Sequence, residues 1–410
     1  MPDLGVLAPI WLVVGILAAS VAVALLTRRW ALPSSVVLVL VGLAVALVVP
    51  SLGSPISPPI QPDLLLAIVL PGLVFEAAFR TDVAVLRPSA AWIVLLGIPG
   101  VLVVAVVVAV ILAVATGLSA GEAFVVGAMV AATDPAAVLA AFRRLPVPAR
   151  LATTVEMESL VNDGTGIALF ALALGLLSGG GSAGSATLDF VLIVLGSGVI
   201  GAAAGFAAGR LVRIVDDHLV ELTITIVLAY GTYLLAAALG GSGVIATLVA
   251  ASIFGAGARR SLTERTRETI DDVWELVAFL LTAGVFLLVG VSIAPGTLVH
   301  AAGPIAAGIL AVLIARGIVV YGLLGGAARL AAARRPEVAM PIGWLHVLFW
   351  AGLRGAVSVA LALSLPADLP NRELLQGITF GIVLFTLLVQ GTTIGWVVRA
   401  AGVSEPADPG

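Results

Sequence analysis

The stretch AAWIVLLGIPGVLVVAVVVAVILAVAT, residues 90–116, contains no charged side chain. Wound as a helix rising ~1.5 Å per residue, it would reach about 40 Å. A bilayer's hydrocarbon core is about 30 Å thick, so this run is long enough to cross it with some tilt. Backbone amides at that depth find no water, which leaves a self-satisfied helix as the way to span. Runs of the same kind recur from end to end. Hydrophobic residues make up 61% of the 410 positions and charged residues only 10%. A soluble domain averages roughly 25% charged residues, so a water-facing surface of ordinary polarity cannot be assembled from this chain. The sequence predicts an all-α polytopic membrane protein.

Hydropathy places about thirteen spans near 7–26, 34–50, 61–79, 90–116, 121–142, 151–178, 188–213, 220–239, 242–257, 270–291, 302–324, 341–363 and 373–400. The loops between them are short, and several, such as Ser178 to Ser185, are mostly glycine and serine. No hydrophilic stretch is large enough for a separate soluble domain. There is no cysteine, which excludes disulfides and thiolate metal sites. Met1 to Gly5 lack the basic region of a signal peptide, and Arg28 and Arg29 follow the first apolar run, so that run reads as a retained helix.

All 20 basic residues are arginine. With the N-terminus outside and the C-terminus in the cytoplasm, every arginine except Arg316, Arg354 and Arg372 falls in or beside a cytoplasmic loop. A wrong helix count would mix the two sides, and they do not mix. Spans one to six and eight to thirteen also begin about 210 to 220 residues apart, with span seven as connector. Six helices per half and an odd connector give halves of opposite orientation. That is the inverted repeat of secondary transporters, whose substrate sites lie at the midplane on interrupted helices.

Span five carries Ala132-Thr133-Asp134-Pro135 near its centre. Proline removes a backbone donor and collides with the preceding turn, so the helix should break there. Thr133 or Asp134 should cap the second half, with Pro135 at its first position. Span twelve, its counterpart, carries Gly352-Leu353-Arg354-Gly355. The expectation is therefore two interrupted helices that cross. An ionisable group at bilayer depth costs ~2.5–3.5 kcal/mol or more, which marks Asp134 as functional rather than a plain kink.

Span six supplies the partner in Glu156-Met157-Glu158-Ser159-Leu160-Val161-Asn162-Asp163-Gly164. Residues four apart share a helix face, so Ser159 and Asp163 line one stripe, with Glu158 and Asn162 beside it. Two carboxylates, a hydroxyl and carbonyls freed at the break form a hard oxygen cage suited to a small hard cation. His218, His300 and His346 are too scattered for a transition-metal site. Carboxylates in a low-dielectric site with a like-charged neighbour resist ionisation. Cation and proton then compete for one site, with Asp163 as the main titrating carrier and Asp134 as a cation ligand; joint titration of the pair is the alternative. Arg316 and Arg354 need anions if they face the interior, and Glu158 is the natural partner of one of them. Glu76 either lines a cytoplasmic funnel or is an interfacial charge near Arg80. Glu156 and Glu275 lie nearer the boundary and should pair locally or snorkel.

These motifs closely resemble the bacterial sodium/proton antiporters of the NhaP type, relatives of the animal sodium–hydrogen exchangers. The matching stretches are Leu73-Val74-Phe75-Glu76, Ala132-Thr133-Asp134-Pro135, Glu158-Ser159-Leu160-Val161-Asn162-Asp163-Gly164 and Trp350-Ala351-Gly352-Leu353-Arg354-Gly355-Ala356-Val357-Ser358. They run in family order over essentially the whole chain. The resemblance implies a homodimer with a fixed dimerisation part (about 1–79 and 220–291), a linker helix (188–213) and a core (about 90–178 and 302–400) that moves as an elevator. It implies that Thr133, Asp134, Ser159 and Asp163 contact the sodium ion, and that Glu158, Asn162 and Arg354 stabilise the core. Asn162 before Asp163 matches the electroneutral branch. Thr282 departs from the asparagine that relatives often carry in span ten. The chain ends soon after the last span, so the long regulatory tail of the animal exchangers is expected to be missing.

No cofactor is expected beyond the transported cation, and no partners beyond membrane lipid and a second copy; nucleic acid is not one. An intramembrane aspartyl protease would need Tyr-Asp and Gly-x-Gly-Asp motifs, and neither occurs. A passive cation channel is a further rival. Within carriers, potassium/proton exchange is the alternative to sodium, because ligand types alone do not fix cavity size.

Overall fold

A computed structural model describes residues 14–15, 17–23, 25, 33–48, 62–145, 147–179, 183–215, 217–258, 262, 264–293, 298–299, 301–333 and 340–403. Most of the first span, Met1 to Gly5, Arg28, Arg29, Arg259, Arg260, Arg334, Arg335 and His300 lie outside those residues. The protein is an all-helical, multi-pass membrane protein, and the described residues contain no strand. Its elements are α1 (Ser34–Val48), α2 (Pro62–Arg80), α3 (Val83–Leu86), α4 (Ala90–Thr116), α5 (Ala120–Met129), α6 (Ala136–Phe142), α7 (Ala149–Leu177), α8 (Ala183–Val212), α9 (His218–Ala238), α10 (Gly243–Ala258), α11 (Glu264–Ser292), α12 (Ala302–Ala332), α13 (Ile342–Trp350), α14 (Ala356–Leu363) and α15 (Arg372–Ala400). Seven of the described helices are each long and apolar enough to cross a membrane. The fifth and twelfth spans are each split in two, as α5/α6 and α13/α14.

Three helices overrun the spans read from hydropathy, and α8 does so by beginning at Ala183 rather than near 188. α11 begins at Glu264 rather than near 270, and α12 continues to Ala332 rather than stopping near 324. Hydropathy detects only the stretch that lipid must cover. Good helix formers such as Glu264, Arg265, Ala327 and Ala328 extend the helix beyond it.

Lipid tails are as apolar as leucine, so helices in a bilayer associate through close packing at small residues. Three contacts follow that rule. A Cβ at Gly42 of α1 or Gly290 of α11 would overlap the other helix's backbone, as would one at Gly201 of α8 against Ala246 of α10. Gly127 of α5 likewise rides on the Ala105 carbonyl of α4. Aromatic packing joins α2, α10 and α11 elsewhere: Phe75 and Phe79 stack at 5.7 Å, Trp274 lies 4.6 Å from Phe75, and Phe254 packs on Phe79. The buried Trp274 indole donates to Thr225 Oγ1 of α9 at 2.9 Å, which satisfies its one polar atom.

Candidate functional site

Local sequence sets up both breaks. α5 starts on a capping box, with Ser119 and Glu122 each satisfying the other's amide, and it ends one turn before Thr133. Pro135 then occupies the N-cap position of α6 rather than its first turn. Asp134 performs the capping, and Thr133 does not. Asp134 Oδ1 accepts from the Ala136 amide at 2.9 Å, and its Oδ2 accepts from the Ala356 amide, at the start of α14, at 3.4 Å. The Asp134 amide donates to the Leu353 carbonyl at 2.8 Å. One aspartate thus sits at the positive ends of two half-helices from different spans and joins their breaks through the main chain.

Arg354 occupies the complementary place. Its guanidinium Nη1 donates to the carbonyls of Ala131 and Ala132 at 2.8 and 3.1 Å. Those carbonyls follow α5, where the broken helix leaves acceptors without intrahelical partners. Glu158 was open to either arginine by sequence; Arg354 is fully buried against backbone acceptors, and among the described residues its Nε and Nη2 find no partner. Its own amide donates to Thr386 Oγ1 at 3.0 Å.

α7 brings the acidic stripe to this crossing. Ser159 Oγ and Thr133 Oγ1 are 2.9 Å apart. Asn162 engages Thr133 twice, its Nδ2 donating to the threonine hydroxyl at 2.5 Å and its Oδ1 accepting from the Thr133 amide at 3.3 Å. Thr133, Ser159 and Asn162 are all buried. Asp163 lies on the Ser159 stripe, within electrostatic reach of Asp134 and Glu158. Among the described residues no group donates to its buried Oδ1. The cluster therefore offers carboxylate and hydroxyl oxygens together, a donor set that fits a small hard cation.

Glu158 pairs with Arg316, not Arg354. The two form a bidentate bridge, Nη1 to Oε1 at 2.7 Å and Nη2 to Oε2 at 3.0 Å. The guanidinium also donates to the Leu348 carbonyl of α13. Glu76 is tied to Arg80 one turn along α2 at 2.9 Å, and Arg80 reaches Glu275 of α11 at 3.2 Å.

A family model described as sodium/hydrogen exchanger, transmembrane, matches residues 16–400. The chain belongs to the sodium/hydrogen exchanger family. Among its relatives is the Na(+)/H(+) antiporter ApNhaP of Aphanothece halophytica, 39% identical over 378 residues, covering 91% of this chain and 70% of that one. The Na(+)/H(+) antiporter NhaH of Halobacillus dabanensis is 32% identical over 399 residues, with 95% and 96% covered. In fold, the chain is similar to the sodium proton antiporter MjNhaP1 from Methanocaldococcus jannaschii, with a TM-score of 0.76 at 21% identity over 97% of this chain and 98% of that one.

Several residues of this crossing were not singled out from the sequence. The Leu353 carbonyl and the Thr386 hydroxyl carry no sequence signal, because their roles arise only when two breaks and the last span meet. Gly355 was read merely as a helix breaker. A Cβ there would overlap the Asp134 carboxylate. Gly355→Ala is accordingly expected to turn Asp134 away from the Ala136 and Ala356 amides. Overpacking of this kind costs about 1–3 kcal/mol, which, if it falls wholly on the cation-bound state, is a roughly five- to 150-fold loss in apparent cation affinity. Cation titration of exchange in membrane vesicles checks it; unchanged affinity would show that the carboxylate can move without consequence.

Proposed function

We propose that this chain is a secondary antiporter, not an enzyme, exchanging sodium or lithium for protons across the cell membrane and so serving sodium and pH homeostasis. The observation that carries the reading is Asp163: a carboxylate on the helix stripe of Ser159, within electrostatic reach of Asp134, with a buried oxygen to which no described group donates. A carboxylate so placed gains from either a cation or a proton, and the two exclude each other. In this reading Thr133, Ser159, Asp134 and Asp163 hold the cation, while Asn162, Glu158, Arg316 and Arg354 hold the crossing together. The names of the relatives, sodium/proton antiporters, support sodium over potassium.

Exchange is electroneutral, because Asn162 spends its amide on Thr133 and adds no second charge beside Asp163. The core carrying the site moves as an elevator against α1, α2 and α9–α11, which remain at a homodimer interface bathed in lipid. The N-terminus lies outside and the C-terminus in the cytoplasm, a reading that the arginine distribution supports. Glu76 borders the cytoplasmic approach to the site, held by Arg80.

Everted membrane vesicles with an imposed proton gradient test the reading. Sodium and lithium are expected to collapse the gradient at lower concentrations than potassium, whatever the membrane potential. No response to any of the three cations overturns antiport. Lowest half-effective potassium concentration would assign potassium instead, and a rate that follows an imposed potential would refute electroneutrality.

A further inference from the structure

The acidic stripe of α7 is gripped from behind by a feature outside every motif read from the sequence. α4 is not uniformly α-helical: it widens into a π-type turn at Leu96–Gly100. Pro99 lies in that turn and has no amide to donate, and the amide of Val101 goes to Ile98. A wide turn shifts the backbone pairing by one residue, and such turns recur at functional sites. The Gly97 carbonyl points across to α7, where Thr165 Oγ1 donates to it at 2.5 Å. Thr165 is fully buried. The same hydroxyl lies 2.6 Å from the Asn162 carbonyl and 3.0 Å from the Val161 carbonyl. Its single proton is shared among the two carbonyls bracketing the Asn162 peptide and one carbonyl of the neighbouring helix.

Gly97 makes this approach possible. A Cβ there would strike the Val161 side chain and come within 3.1 Å of the Asn162 amide. The turn therefore presses on the backbone one residue before Asp163. Just beyond, Gly100 faces Val319, in a second π-type turn, Ile318–Leu324, that begins two residues after Arg316. The π-type turns of α4 and α12 thus pack on each other, and the first of them also packs on α7.

We propose that Thr165 is a positioning residue for exchange: by bonding the Gly97 carbonyl in the π-type turn of α4, it fixes the rotation of α7 that aims Asn162 and Asp163 at the helix crossing. An ordinary threonine in a helix bonds only to the carbonyls of its own preceding turn, which slightly bends the helix. The bond to Gly97 adds a fixed external reference for that bend. Thr165 touches no cation in this scheme; it acts through Asn162 and Asp163. The inference rests on the antiport reading above.

The test compares Thr165→Val, which keeps the shape and loses the hydroxyl, with Thr165→Ser, which keeps the hydroxyl. In vesicles Thr165→Val is expected to raise the half-effective sodium concentration about three- to tenfold, the worth of one buried hydrogen bond, with maximal rate within about twofold. Thr165→Ser is expected to behave as wild type. A structural role alone would lower yield and melting temperature and leave the half-effective concentration unchanged, and that result overturns the proposal. So does a valine variant indistinguishable from the serine variant.

Amide hydrogen exchange across residues 161–166 of the purified protein provides a readout that does not depend on transport. Faster exchange confined to this segment in Thr165→Val, and restored in Thr165→Ser, supports the positioning bond even if wild-type vesicles show no sodium response. Unaltered protection in Thr165→Val overturns it, whatever the transport result.

Discussion

Asp163→Asn is expected to abolish cation-driven proton movement while leaving the protein folded. Asparagine is nearly isosteric, so the packing of α7 is preserved. What disappears is a charge and a titratable proton. Two unit charges about 4 Å apart attract by ~4 kcal/mol at an effective dielectric near 20, which corresponds to a roughly thousandfold loss in cation affinity. Losing the proton carrier removes the exchanged partner as well, so residual exchange should fall below detection. Stability should move the other way. No described group donates to the buried Asp163 Oδ1, and a buried charge without full compensation is costly. The variant should therefore melt at the wild-type temperature or above it. Exchange at a wild-type rate in Asp163→Asn would remove Asp163 from the mechanism. A variant that fails to fold would mean that its charge is held by contacts other than those seen at the crossing.

The helical class, the two breaks and the acidic stripe were legible because each leaves a local mark. Asp134-Pro135 combines a missing amide with a charge where lipid forbids one, and Gly352 to Gly355 brackets an arginine with glycines. The face shared by Ser159 and Asp163 follows from helical spacing alone. What the sequence could not supply depends on three-dimensional neighbours. Glu158 had two arginines to choose from, and only the packing of α12 against α13 brings Arg316 to it. Arg354 was the other candidate for that acid, but a broken helix offers backbone carbonyls to its Nη1, and no side-chain count reveals those. The π-type turn at Leu96–Gly100 lies inside the run of residues that reads most cleanly as a plain helix. Its only outward signs are Gly97 and Pro99, both ordinary in membrane helices. The choice of Asp134 over Thr133 as cap was equally hidden, since both residue types serve that role and Thr133 is drawn off by Ser159 and Asn162.

The second large effect is expected at the Glu158–Arg316 pair, and it concerns folding first. Both side chains are almost wholly buried, 3% and 5% exposed. Removing one member of a buried pair strands the other's charge, at a cost of about 3–5 kcal/mol. Arg316→Met should therefore lower the melting temperature in detergent markedly, and so should Glu158→Leu. The double variant Glu158→Leu/Arg316→Met leaves no stranded charge and should recover most of the loss. Strong coupling of this kind is the signature of a direct pair; single variants whose losses simply add would refute the pairing. Exchange should not recover with stability. The pair holds α7 to α12, and through the Leu348 carbonyl it also holds α13, the half-helix that leads into the second break. Gly352 belongs to the same arrangement, because a Cβ there would come within 2.9 Å of Arg316 Nε. Apolar side chains could fill the space of the bridge, but they would not fix the direction of α13 relative to α7. Asp134 depends on that direction, since its amide bonds Leu353 at the end of the same segment. A double variant that is stable yet inactive would locate the function of the pair in orientation; a stable and fully active one would reduce it to packing.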